Sequence, residues 1–204
     1  MADTLSETHY FSCPMYMVRK TEFLQQVRDV SNRYLPSSGI AHPPTKMSAN
    51  FSHETELADF SQYVSQTAWN ILNAQGYAMD KLVTYFTEMW TQEHNYMSSM
   101  DTHIHGTGAQ ISAFYFLSTP KDGCNFLIHD PRPAKVIINM PQSDENKITA
   151  ASNHIVFTPE EGTLIFINSW QPHSLSRNMS TEPVKFVHMN LSVSLAPEPE
   201  VEVI

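Results

Sequence analysis

Residues 101–117 read DTHIHGTGAQISAFYFL. Two histidines one residue apart precede a glycine-bearing turn, and the turn leads into seven residues rich in β-branched and aromatic side chains. Alternate residues of a strand share a face, so an extended segment here projects Asp101, His103 and His105 together. Imidazole nitrogens gathered on one face chelate a divalent ion with little reorganisation, and mixed nitrogen and oxygen sets suit iron(II) among others. An HxH pair taken alone is a weak signal and reads more readily as surface histidines. What surrounds it therefore decides.

Downstream, short strand-like runs recur between turns: CNFLIH, AKVIIN, NHIVF, GTLIFIN, HSLS and VKFVHMNLSV. Their regular spacing predicts an antiparallel sandwich or barrel rather than βαβ units. A facial metal site needs a third ligand from elsewhere in such a fold. The best-placed candidate is His173, in EEGTLIFINSWQPHSLSRN, where a turn at Gly162 enters an apolar strand, a short corner follows, and a histidine opens the next strand.

Upstream the texture is helical. HYFSCPMYMV alternates as an edge strand does. Phe23, Val27, Val30 and Tyr34 then recur at the helical period over 21–34, and Pro36 closes the element. Residues 36–53 are rich in Pro, Ser and Gly and read as a long loop. Leu57, Phe60, Val64, Ala68 and Ile71 line one face of a second helix, with Ser52 suited to cap its start and Gly76 to end it. Residues 81–93 read as a short helix that finishes as a strand around Met89 and Trp90. The expectation is one domain over 1–195, with helical support in 1–86, a β core in 87–195, and a flexible acidic tail at 196–204.

Composition narrows the function. The chain has 204 residues, a formal net charge of −9 and ten histidines. An acidic balance argues against bulk nucleic acid, whose phosphates demand clustered Lys and Arg. No run approaches the length of a membrane span, and the N-terminus lacks a basic segment followed by an apolar one. Cys13 and Cys124 form no motif, which favours an intracellular, cytoplasmic setting without a disulfide. The eleven methionines read as core filler.

With these residues in view, the chain resembles the 2-oxoglutarate/iron(II)-dependent oxygenase superfamily. More narrowly it is similar to a group of small oxygenases from marine bacteria and their phages. The matching segments are HIHGTGAQISAFYFL, FLIHDPRP, PEEGTLIFINSWQPHSL and VKFVHMNLSV, in that order, after an opening YFSCPMYMV. The resemblance implies a double-stranded β-helix, that is a jelly-roll or cupin-like barrel, with flanking helices and iron(II) at its open end. It implies His103, His105 and His173 as metal ligands, with Asp101 in reserve. Most of the superfamily has a carboxylate where this chain has His105. The implied reaction couples oxidative decarboxylation of 2-oxoglutarate, to succinate and CO2, with oxidation of a substrate C–H bond. A three-histidine site leaves the ion its full positive charge, which favours an anionic co-substrate.

The family's arginine for the far carboxylate of 2-oxoglutarate is missing. Lys185 is the nearest substitute, although strand alternation counted from Asn190 sets it on the opposite face from His188 and Asn190. Arg132, Arg177 and His188 are the other candidate cations. Tyr115 reads either as a co-substrate partner or as a core tyrosine, and Trp170 as packing under the corner before His173. His94, His129 and His154 read as ordinary surface or core residues. The expected partners are a small-molecule co-substrate and a substrate that is a small molecule or a protein side chain, with a homodimer left open. Two other functions stay in view: a three-histidine, cupin-type metal dioxygenase that needs no 2-oxoglutarate, and a non-catalytic β-barrel binding or structural module.

Overall fold

Alternation in the second half of the chain does build strands, and they assemble into two antiparallel sheets. The computed structural model describes residues 6, 8, 11–36, 44–106, 108–138 and 140–197. In chain order the elements are β1 (Met15–Arg19), α1 (Leu24–Tyr34), β2 (Thr45–Met47), α2 (Ala58–Ala74), β3 (Leu82–His94), β4 (Met100–His103), β5 (Ile111–Ser118), β6 (Phe126–His129), α3 (Pro133–Ile137), β7 (His154–Phe157), β8 (Thr163–Asn168), β9 (His173–Leu175) and β10 (Val184–Leu195). The larger sheet has the order β1-β8-β5-β10-β3-β2 and the smaller β4-β9-β6-β7. Facing each other, they form a double-stranded β-helix.

Each face of the larger sheet has its own core, because successive side chains of a strand point to opposite sides. One face carries Met89, Tyr115, Leu164, Val187 and Met189, which meet Val27 and Val30 of α1 and Phe60, Val64 and Ala68 of α2. These are the helical positions that the 3.6-residue period singles out, and burial of each large side chain contributes about 2 kcal/mol. The other face turns Phe114, Phe116 and Phe186 into the barrel, where Phe126 and Leu175 of the smaller sheet join them. Trp90, Gln92 and His94 of β3 share that inner face: Trp90 meets His188 at 4.2 Å and His94 stacks on Phe186 at 5.6 Å.

Several local expectations change. Residues 82–94 are strand throughout, because β10 pairs with β3 from Leu82 to His94, and β2 joins its last three residues from the other side. Residues 133–137 form a helix where a strand was expected. Pro133 sits at the helical start with its φ already suited, and Ile137 and Ile138, 82% and 80% exposed, have no sheet to join. The Ser52 hydroxyl caps neither α2 nor the single turn before it. Gly76 does end the helix in the left-handed region, at φ 93°. The loop expected at 36–53 holds β2, while its residues 37–43 lie outside the described ones, as does the tail from 198 onward. No described helix is long and apolar enough to cross a membrane.

Candidate metal centre

His103 and His173 face each other across the β4–β9 pair, and both turn into the barrel. His105 lies just beyond β4, so strand alternation alone does not hold it there. Its backbone N–H donates to the Ser169 carbonyl at 2.9 Å, which ties the segment to the corner before His173. Gly108, at φ 99°, then turns the chain into β5, a conformation that glycine adopts without strain. The three imidazoles come together, with one ligand nitrogen from each within 4.8 Å of the others.

Hydrogen bonds set which nitrogen each ring offers. His103 Nδ1 donates to the Asp101 carbonyl at 2.8 Å, and His173 Nδ1 to the Gln171 carbonyl at 3.0 Å. A carbonyl only accepts, so each Nδ1 carries a proton, which leaves Nε2 as the nitrogen that each ring can offer to a metal. His105 Nε2 and His173 Nε2 lie 3.2 Å apart. Two ligands at right angles on an ion, each about 2.1 Å from it, are about 3.0 Å apart, so this spacing fits adjacent corners of a six-coordinate site. Burial, with His103 beside it, pushes His105 down to about 4, and burial pushes His173 to about 3. Both stay neutral at pH 7, the form that binds metal. This donor set fits a divalent ion.

Asp101 does not join them. Its side chain is exposed, and only its backbone carbonyl reaches the site, as the acceptor for His103. The strand ends at His103, so the shared face expected for 101, 103 and 105 does not extend through all three.

A family model described as "Putative 2OG-Fe(II) oxygenase" matches residues 88–185. That span is a little under half of the 204-residue chain; it opens within β3 and includes all three histidines. Among solved structures, a 2OG-Fe(II) oxygenase-family oxidoreductase from Burkholderia pseudomallei is similar with a TM-score of 0.60 at 12% identity, over 87% of this chain and 84% of that one. A prolyl-4-hydroxylase from Pseudomonas putida gives 0.59 at 10%, over 89% and 93%. HygX from Streptomyces hygroscopicus, solved with nickel and 2-oxoglutarate bound, gives 0.59 at 11%, over 88% and 83%. At such identities the likeness establishes the fold. No curated protein matches the sequence.

The residues expected to meet a co-substrate scatter. Lys185 points away from the barrel interior. It pairs with Glu93 at 2.7 Å, and Lys46 holds the other carboxylate oxygen at 2.9 Å. The face opposite His188 and Asn190 is thus the one it occupies, as alternation required. Arg132 is exposed and forked onto Asp130 at 2.9 and 2.8 Å, and Arg177 is exposed. Indeed no Lys or Arg lines the barrel interior among the described residues: each is exposed or paired on the outside. Tyr115 belongs to the helix-side core. Its hydroxyl donates to the Lys20 carbonyl at 2.5 Å and its ring meets Phe60 at 5.0 Å. Tyr115→Phe should therefore leave co-substrate affinity unchanged and cost about 1–2 kcal/mol through the orphaned carbonyl. That is a melting point lower by about 2–8 °C in a thermal scan.

His188 and Asn190 do reach the site. Asn190 accepts from Ser112 Oγ at 2.9 Å, donates to Glu88 Oε2 at 3.0 Å, and lies 3.4 Å from His105 Nδ1. The His188 ring stacks on Phe114 at 4.8 Å and touches that of His105 at 4.4 Å. Sequence reading missed Glu88 and Trp90, whose signal was the alternation of β3 hidden by the helical reading of its first residues. Trp170 is 44% exposed rather than buried under its corner, and His129 and His154 lie on the outer face of the smaller sheet.

Proposed function

We propose that the protein is an iron(II)- and 2-oxoglutarate-dependent oxygenase, acting as a hydroxylase, with His103, His105 and His173 as the iron ligands. One observation carries the reading: three imidazoles converge at a barrel mouth, two with Nδ1 committed to backbone carbonyls and two Nε2 atoms 3.2 Å apart. The family match over 88–185 and the β-helix fold support it. The order of the quoted segments supports placement in the small-oxygenase group.

Iron(II) so held would supply activation of dioxygen coupled to decarboxylation of the 2-oxoacid. The chain's own residues orient and shield. Gln171 and Asp101 carbonyls lock two ring tautomers, and Phe114 and Phe126 against His173 keep water from its inner side. Glu88, exposed beside Asn190, stands at the open end where a substrate enters.

The lack of a Lys or Arg in the interior among the described residues favours a second reading, the three-histidine dioxygenase that needs no 2-oxoglutarate. One experiment separates the two. Protein purified without oxygen is loaded with iron(II), then titrated with 2-oxoglutarate while the weak visible metal-to-ligand band and succinate are followed. The first reading expects the band and succinate. Iron binding with neither supports the second, and failure to bind iron near one equivalent sinks both in favour of a non-catalytic barrel.

A further inference from the structure

Beside the triad, the barrel interior holds hydrogen-bonding atoms that no described residue satisfies. His188 is 1% exposed, and neither its Nδ1 nor its Nε2 has a partner. Trp90, its direct neighbour across the β3–β10 pair, leaves Nε1–H without an acceptor in the same way. Buried polar atoms are almost always paired, so two such side chains meeting at 4.2 Å next to a metal-binding cluster point to a ligand. The rings around His188 are those of Phe114, Trp90 and His105, so no carboxylate holds a proton on it.

We propose that Trp90 and His188 hold the far end of a metal-chelating 2-oxoacid by neutral hydrogen bonds, so that 2-oxoacids with an uncharged acceptor tail bind as readily as 2-oxoglutarate. The proposal rests on the oxygenase reading above. An indole N–H only donates, and a neutral imidazole offers one donor and one acceptor. A ketone oxygen and a carboxylate oxygen satisfy such donors alike. An arginine fork, by contrast, pairs bidentately with a carboxylate and rewards its charge. With no Lys or Arg beside these two side chains among the described residues, the charge of the far carboxylate brings a desolvation cost that the neutral tail avoids. An alkyl tail leaves both donors unpaired and binds more weakly.

The test uses iron-loaded protein without oxygen and three acids: 2-oxoglutarate, 2,5-dioxohexanoate and 2-oxohexanoate. Affinities come from the visible band and, independently, from calorimetry. The first two acids should bind within about 5-fold of each other and the third about 10-fold more weakly. Trp90→Phe and His188→Leu should each collapse the gap between the second and third while iron affinity, measured alongside, holds. Lys185→Met serves as the control and changes none of the three. A preference for 2-oxoglutarate over the ketone of 100-fold, or its loss in Lys185→Met, overturns the proposal. So does an undiminished gap in both barrel variants. Iron binding with no response to any of the acids instead overturns the oxygenase reading beneath it.

Discussion

His173→Ala should lower iron(II) affinity by about 10²–10³-fold. A four-ligand metal site is worth roughly 10–16 kcal/mol, so one imidazole accounts for roughly 3–4. His173 is the severest choice among the three because it is fully buried and its ring touches those of both His103 and His105. Competition with a chromophoric chelator in the absence of oxygen measures the loss directly. His154→Ala is the comparison that removes a histidine from the outer face without touching the cluster. The alanine also opens space against Phe114 and Phe126, so a melting curve of the metal-free variant must accompany the titration. Wild-type iron affinity in a folded His173→Ala would remove this residue from the ligand set.

The second large effect is acid lability of the metal-free protein. His94, His173 and His188 are buried at 1%, 0% and 1% exposure, and burial depresses each: His94 to about 4, His173 to about 3, His188 well below the ordinary range. An unfolded chain protonates its histidines near 6.5, so below that pH it binds protons that the native state does not. Stability is therefore full above pH 6.5 and declines as pH falls towards 4, the native state being penalised throughout that window. One unit below 6.5, each of the three has given up about 1.3 kcal/mol, or about 4 kcal/mol together. A drop in melting temperature of about 8–16 °C between pH 7 and 5.5 follows. His94→Gln, which sits away from the triad against Ser98 and Phe186, should lessen the slope by one proton's share. A melting point flat across this range would show that the rings are hydrated or hydrogen-bonded as cations. Iron(II) should raise the whole curve without flattening it, since His105 and His173 are already neutral in the native state across this range and binding adds stability to that state alone.

Lys185 illustrates where strand arithmetic is sufficient. Counting alternate residues from Asn190 set Lys185 on the face opposite His188 and Asn190 unless a bulge restored it, and its pairing with Glu93 agrees with the count. Helix periods placed Val27, Val30, Phe60, Val64 and Ala68 in a common core for the same reason. Gly76 was legible because its left-handed φ is a local demand. The helix over 133–137 was not, because β-branched side chains favour a strand only where a neighbouring strand is present to receive them.

The candidate centre divides along the same line. By itself the sequence determined the residue types, the HxH spacing and the strand that opens with His173, all of them short-range patterns. Only the tertiary structure decided that His105 turns inward through its bond to Ser169, that Asp101 stays outside, and that Trp90 and His188 meet beside the imidazoles with no partner for their polar ring atoms among the described residues. Those outcomes depend on the pairing of strands about a hundred residues apart, Trp90 in β3 against His188 in β10. Local propensity carries no record of that register. It is set by which faces of two distant segments bury the most apolar surface together.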